Sequence, residues 1–179
     1  MNILVNLATL KKGGGQNVGL NFIYSIFNIN YPNCNFYFVV VEHSEIHKTL
    51  AKYGVSNISF MPSNPIKRMV KEFLFGNKII KAYKIDIIYS YFGYGLYSKK
   101  CPQISGSADS NLFFPEIDFW KHYSGFKLVV KNLIDRYRIW GLKNATAVIF
   151  ENEAMLQRGV KLFNLKKTIF IKQRQISPP

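Results

Sequence analysis

An α/β fold, with a parallel β-sheet of about six or seven strands flanked by helices, is predicted from three features of the sequence. Short apolar runs alternate with longer segments in which apolar residues recur every three or four positions, as strands alternate with amphipathic helices. Strands joined through helices favour right-handed βαβ units and hence a parallel sheet covered on both faces. A length of 179 residues fits a single domain, and an apolar fraction of 48% supplies a packed core.

The first half of the chain predicts four strands and three helices. The predicted strands, rich in β-branched or aromatic side chains, are residues 3–7, 35–41, 55–61 and 85–89. The predicted helices are residues 15–29, 45–53 and 65–83. Pro32 and Gly54 follow the first two helices as stop signals, and Pro65 suits the first turn of the third. The third helix has an apolar face that is predicted to pack on the core: Ile66, Met69, Val70, Phe73 and Leu74.

The second half continues the alternation and adds a long loop. The predicted strands are residues 103–105, 146–150 and 168–171, and the predicted helices are residues 126–142 and 153–163. Asn152 is placed to cap the last helix. Residues 106–125 are rich in Gly, Pro, Ser and aromatic side chains, which is typical of a binding loop.

The composition narrows the classes of partner. A net charge of +14 favours an anionic partner: a phosphate, a nucleic acid or an acidic membrane. Nucleic acid is disfavoured, because no helix-turn-helix, ribonucleoprotein or zinc-finger motif accompanies the charge. Cys34 and Cys101 have neither the spacing of a metal site nor the number needed for a disulfide framework. The first residues do not resemble a signal peptide and no apolar run is long enough to span a membrane, so a cytoplasmic location is expected.

Four segments are predicted to lie at the carboxyl edge of the sheet, where open parallel sheets bind ligands. After the first strand, Gly13, Gly14 and Gly15 precede a helix, and their backbone N–H groups can hold a phosphate or a sugar oxygen. Their spacing matches neither the dinucleotide fingerprint nor the P-loop, so a flexible turn is the alternative. After the fourth strand, Tyr91 and Tyr94 offer rings that can stack on a sugar or base, and core packing of Tyr91 and Phe92 is the alternative.

The other two segments carry carboxylates. Asp109 follows the fifth strand and either orients a hydroxyl and acts as a base, or caps the loop. Ser107 and Asn111, beside it, are candidate substrate-binding residues. Glu151 follows the sixth strand and either contacts substrate or caps the next helix. The glycine loop, the tyrosine segment and Asp109 are therefore expected to converge on one concave surface.

Several stretches, taken in order, carry a family resemblance: Ile3-Leu-Val-Asn-Leu-Ala with Gly13-Gly-Gly, Asp86-Ile-Ile-Tyr-Ser, Gly106-Ser-Ala-Asp-Ser-Asn-Leu-Phe-Phe-Pro, and Asn144-Ala-Thr-Ala-Val-Ile-Phe-Glu-Asn-Glu-Ala-Met. Together they resemble the amino-terminal, Rossmann-like domain of GT-B glycosyltransferases. Within that group the chain is similar to the retaining bacterial enzymes that build surface polysaccharide. The resemblance spans nearly the whole chain and depends on the order and spacing of the segments.

The resemblance implies that residues 1–179 are the acceptor-binding half of a two-domain transferase. The substrates would be a nucleotide sugar and a polysaccharide or lipid-linked acceptor, with no resident cofactor and no metal. The donor-binding half is expected to be absent from these residues and to be supplied by a separate domain or chain. Transfer by these residues alone is therefore not expected.

The resemblance also implies roles for particular residues. Gly13, Gly14 and Gly15 would lie near the donor diphosphate, and Asp109 would be the catalytic residue. Ala108 departs from the family pattern, which often has a His immediately before this Asp. The alternatives to a transferase domain are a nucleotide-binding Rossmann domain and a basic module that binds nucleic acid or membrane.

The third predicted helix has an unusual charge. Six basic residues lie between Ile66 and Lys84, and they outnumber the one acidic residue, Glu72, to give a local balance of +5. The helix is therefore predicted to lie near an anionic membrane surface, on the inner face of the cell membrane. The alternative is a core-packed helix whose basic face is solvated.

Overall fold

The computed structural model describes residues 1–29, 31–92, 98, 101–165 and 167–171, which form seven strands and six helices. The strands are β1 (Asn2–Asn6), β2 (Asn35–Val41), β3 (Ile58–Met61), β4 (Ile87–Ser90), β5 (Gln103–Ser107), β6 (Ala147–Phe150) and β7 (Thr168–Phe170). The helices are α1 (Gly13–Asn28), α2 (Glu45–Lys52), α3 (Pro65–Ala82), α4 (Ser110–Phe113), α5 (Gly125–Asn144) and α6 (Glu153–Phe163).

All neighbouring strands pair in parallel, in the order β3-β2-β1-β4-β5-β6-β7. The chain adds β2 and β3 on one side of β1, then crosses the sheet and adds the remaining strands on the other side. This doubly wound, Rossmann-like arrangement confirms the predicted fold class. The loops after β1 and β4 diverge at the reversal, so a crevice is expected at the carboxyl edge there.

Alternate residues of each strand face opposite layers of the domain. Right-handed crossovers place α1 and α2 on one face of the sheet and α3, α5 and α6 on the other. In β1, Leu4 joins the core on the α3 side and Val5 joins the core on the α1 side. A third core, which includes Phe113 and Phe150, packs α4 and α6 against the β6 side of the sheet.

The predicted element boundaries agree with the structure to within three residues. β3 begins at Ile58, later than predicted, because the backbone N–H of Val55 donates to the carbonyl of Leu50 and closes α2 instead of entering the sheet. The predicted loop at 106–125 contains the short helix α4, which is too short to show a helical period in the sequence.

The inward face of α3 is not the one predicted. The buried residues of this helix are Arg68, Glu72, Gly76 and Ile80. The residues expected in the core are mostly exposed: Ile66 by 40%, Val70 by 49%, Phe73 by 73% and Leu74 by 58%. Arg68 and Glu72 can be buried because they find polar partners inside the domain. Because a helix cannot turn both sides inward at once, the apolar side of α3 is left exposed.

Gly159 lies where α6 crosses β6. A Cβ atom at this position would lie 2.9 Å from Cζ of Phe150 and 3.2 Å from Cε1 of Phe113. We expect Gly159→Ala to lower the free energy of unfolding by about 1–3 kcal/mol, because rigid rings overpack against the new methyl group. Urea denaturation measures this change. In the control Gly14→Ala, the added Cβ meets nothing within 4 Å. Equal destabilisation by both variants would contradict the packing argument.

Candidate functional site

A cleft of about 430 Å³ lies at the carboxyl edge of the sheet, and we call it the carboxyl-edge cleft. The loops after β1, β4, β5 and β6 all contribute to its wall. The polar and glycine residues that line it are Thr9, Gly14, Gly15, Arg68, Asp109, Arg138 and Glu151. Phe92 and Val18 supply apolar wall between them. The cleft is therefore the crevice expected where the strand order reverses.

The glycine loop presents the first turn of α1 to this cleft. Gly13 adopts a φ of +62°, a backbone conformation that glycine takes without strain. Lys12 stands at the N-cap position and makes no side-chain hydrogen bond to the first turn, which contains no acidic residue. By contrast, the side chains of Asn64 and Asn152 cap α3 and α6. The first N–H groups of α1 are thus without a side-chain cap and beside the cleft.

Two hydrogen bonds fix the loops on either side of the glycine loop. The Thr9 hydroxyl donates to the Tyr91 carbonyl at 2.7 Å, joining the loop after β1 to the loop after β4. The backbone N–H of Ala8 donates to the Asn6 side chain at 3.1 Å, and Asn6 itself is buried. These hydrogen bonds therefore hold the wall of the cleft near α1 in place before any ligand binds.

Arg68 brings a buried positive charge to the cleft wall. Its Nη1 donates to the Ala8 carbonyl at 3.2 Å, and its Nε lies 3.9 Å from Oε1 of Glu72. The Tyr137 hydroxyl donates to the other Glu72 oxygen at 3.0 Å, which links α5 to α3. Burial raises the pKa of Glu72 to about 7, although Arg68 and hydrogen bonds from Tyr137 and Asn6 oppose the shift. Burial and the neighbouring Glu72 likewise raise the pKa of Tyr137.

A second arginine faces the cleft from α5. Nη1 of Arg138 lies 3.7 Å from Oδ1 of Asp109 and 3.6 Å from Oδ1 of Asp135. Asp135 also pairs with Lys131 at 2.8 Å. Arg138 therefore lies between two carboxylates, only one of which belongs to the cleft wall.

The cleft combines positive potential with hydrogen-bond acceptors. Burial, then the nearby charges of Arg68 and Lys12, lower the pKa of Lys11 beside the glycine loop. On the other side, burial raises the pKa of Glu151. An anion can bind near Arg68 and the first turn of α1, and Asp109 with Glu151 can accept hydrogen bonds from hydroxyl groups. Among the residues that the structure describes, no three His, Cys, Asp or Glu side chains group as a metal site requires.

The predicted site residues fall into two groups in the structure. The cleft brings together Gly14, Gly15, Asp109 and Glu151. Gly13 directly precedes Gly14 at the start of α1. Asp109 occupies the N-cap position of α4, but its side chain makes no capping hydrogen bond and faces Arg138 instead.

The remaining predicted site residues lie elsewhere. Ser107 is buried at the end of β5. Tyr91 packs in the core, with its ring 5.1 Å from Phe22 and 5.0 Å from Tyr89. Tyr94 lies outside the described residues.

Asn111 lines a second cavity, of about 530 Å³, between the loop that follows α4 and α5. Its Nδ2 and the Nε1 of Trp120, another lining residue, are buried without a hydrogen-bond partner. This second cavity is larger than the carboxyl-edge cleft but does not include the residues that follow β1 and β4. The crevice at the strand reversal remains the better candidate site, because four loops meet there and the loops after β1, β5 and β6 contribute polar groups to it.

Sequence reasoning missed two functional candidates, Arg68 and Arg138. Arg68 lies one turn after Pro65, in a helix that begins at the carboxyl edge of the sheet. Its position in the first turn of that helix was the sequence signal that could have placed it near the cleft. Arg138 lies in the interior of α5, and the sequence pattern of that helix does not show which side faces the cleft.

Comparison with known proteins does not identify the chain. It matches no protein-family model, and no curated protein is significantly similar to it in sequence. Within the described residues, none of the helices is both long and apolar enough to cross a bilayer. The function of the chain is therefore inferred from the geometry of the cleft.

The buried Glu72 predicts a pH dependence of stability. Its pKa in the folded chain, about 7, exceeds its ordinary value of 4.5, so the folded state retains a proton that the unfolded state loses. Stability should therefore fall as the pH rises between these values, by about 1–3 kcal/mol. The measurement is urea denaturation of the wild type and Glu72→Gln at about pH 5 and about pH 8. A difference between the two proteins that is the same at both pH values would contradict the assignment.

Proposed function

We propose that this chain is the acceptor-binding domain of a glycosyltransferase. It would act in transfer of a sugar from a nucleotide sugar to a polysaccharide or lipid-linked acceptor, with a second domain binding the donor. The observation that supports the proposal most is the composition of the carboxyl-edge cleft. The cleft presents the first turn of α1 with Arg68, and the carboxylates of Asp109 and Glu151, and Arg138 joins these groups because it lies 3.7 Å from Asp109.

The positive groups of the cleft suit a diphosphate. Backbone N–H groups and the helix dipole at the start of α1 favour an anion, and two guanidinium groups add charge-assisted hydrogen bonds. The Arg68 guanidinium is ordered by Ala8 and Glu72 before any ligand binds. A phosphate bound here would lie beside Gly14, where no side chain occupies the space.

The carboxylates of the cleft suit a sugar. Asp109 and Glu151 accept hydrogen bonds from hydroxyl groups, and the Phe92 ring supplies an apolar wall of the kind on which pyranose rings stack. Asp109 is the proposed catalytic residue, because its carboxylate lines the cleft, lies 3.7 Å from Arg138, and can orient the attacking hydroxyl or act as a base.

A nucleotide-binding Rossmann domain without transferase activity is the second candidate. The fold and the position of the cleft favour it equally, but Val18 stands where a third fingerprint glycine would be and lines the cleft with a branched side chain. Binding of an adenine dinucleotide that is tighter than binding of pyrophosphate or of a sugar phosphate would favour this candidate.

The diphosphate role is tested with inorganic pyrophosphate and the purified chain. We expect the backbone amide signals of Gly14 and Gly15 to shift on titration, followed by nuclear magnetic resonance. Gly14→Val and Arg138→Gln should each raise the dissociation constant for pyrophosphate by about tenfold or more. The first variant excludes the ligand sterically, and the second removes a charge-assisted contact.

The matched control for this experiment is Arg136→Gln, which removes an equal charge from an exposed position on the same helix. It should leave pyrophosphate affinity within about twofold of the wild type, because exposed charges act weakly. Equal loss of affinity in Arg136→Gln and Arg138→Gln would show general charge attraction and would contradict a defined site.

Catalysis is expected to need the donor-binding domain as well. Fixing the donor against the acceptor supplies several kcal/mol of rate enhancement, so residues 1–179 alone should give no measurable sugar transfer. With a donor-binding domain supplied, Asp109→Asn should lower the turnover number by about a hundredfold or more while the unfolding midpoint changes little. Robust turnover by residues 1–179 alone, measured as release of nucleoside diphosphate, would refute the requirement for a separate donor-binding domain.

A further inference from the structure

The helices α3 and α5 expose an apolar surface on the side facing away from the sheet. We call it the two-helix surface, and its members are Ile66, Val70, Phe73 and Leu74 of α3 with Phe126, Val129, Leu133 and Trp140 of α5. Phe73 is 73% exposed and Phe126 is 81% exposed. An apolar surface of this extent on a folded domain marks a site of interaction.

One groove is lined by a member of each stripe, Ile66 of α3 and Phe126 of α5. This apolar groove, of about 490 Å³, lies between the helices and is also lined by Val130 and Ile134 of α5. The hydrogen bond from Tyr137 to Glu72 fixes the two helices side by side. The two stripes therefore lie on neighbouring helices that are held together.

The exposed charges of these two helices are basic, whereas their carboxylates are either buried or paired with a basic side chain, as Asp135 is within the groove. Six basic side chains on these helices are exposed: Lys67, Lys78, Lys81, Lys127, Arg136 and Lys143. The acidic residues in α3 and α5, both of which are described throughout, are Glu72 and Asp135. Glu72 is buried, and Asp135 pairs with Lys131 and Arg138. The two-helix surface thus combines exposed rings and aliphatic groups with a positive rim.

We propose that the two-helix surface docks on an anionic lipid bilayer. The headgroup region of an acidic membrane accepts apolar side chains and attracts cations, so it matches both the apolar and the basic side chains of this surface. A second copy of this chain fits less well, because pairing the surfaces would bring the same cations together. The inference depends on α3 and α5 alone and does not depend on the proposed transferase activity.

Docking in this way would set the position of the carboxyl-edge cleft. Arg138 lines both that cleft and the apolar groove. The cleft would therefore open close to the level of the lipid headgroups, where a phosphate or sugar carried on a lipid is presented.

Vesicle sedimentation tests the proposal. The full chain is mixed with vesicles of phosphatidylcholine alone or of phosphatidylcholine with phosphatidylglycerol, at low and at high salt. We expect binding to the anionic vesicles and about tenfold weaker binding to the neutral ones, with high salt reducing the difference. Phe73→Ser combined with Phe126→Ser should weaken anionic-vesicle binding by about tenfold or more.

The matched control is Val160→Ser combined with Phe170→Ser, which removes exposed apolar side chains from α6 and β7. This control should bind as the wild type does, and circular dichroism should show that both double variants remain folded. No binding to either vesicle, equal binding to both, or unchanged binding of the Phe73 and Phe126 variant would overturn the proposal. A dimer, detected by sedimentation velocity, that only this variant abolishes would also overturn it, because a second copy would then be the occupant.

Discussion

The buried guanidinium of Arg68 ties together parts of the structure that the sheet alone does not position. It reaches from α3 to the Ala8 carbonyl just after β1, and through Glu72 it connects to Tyr137 on α5. A charged group in such a place is tolerated only when its hydrogen bonds are satisfied, since the cost of burying an unpaired charge is several kcal/mol. The α3 and α5 helices can therefore sit only where those partners meet, and that position places Arg138 opposite Asp109.

The carboxyl-edge cleft follows from this arrangement together with the parallel sheet. Parallel pairing brings the ends of β1, β4, β5 and β6 to one edge, so the glycine loop, Asp109 and Glu151 become neighbours although they are far apart in sequence. The sheet supplies glycine N–H groups and carboxylates, whereas α3 and α5 supply the arginines. The arginines and the carboxylates of the cleft therefore come from different parts of the fold.

The sequence predicts the layers of this fold well and the orientation of its helices less well. Strands such as β2 are recognisable because their side chains are β-branched or aromatic over a whole run, and α6 because a capping Asn precedes it. The inward side of α3 was not predictable from hydrophobicity, because its burial is decided by polar contacts of Arg68 and Glu72 with distant parts of the chain. The glycines and Asp109 could be placed because each lies in a connection that follows a strand.

The same contacts that form the cleft also create the exposed apolar surface. A helix has one rotation about its axis, so turning Arg68 and Glu72 inward turns the side with Val70 and Phe73 outward. Leaving a large apolar side chain exposed forfeits about 1.5–3 kcal/mol that burial would contribute. Nothing within the described domain recovers that free energy, whereas contact with an apolar environment outside it would. The rotation of α3 thus has a structural cause in the cleft and an energetic consequence at the two-helix surface, which is why a ligand site and a membrane-facing surface would occur side by side on this domain.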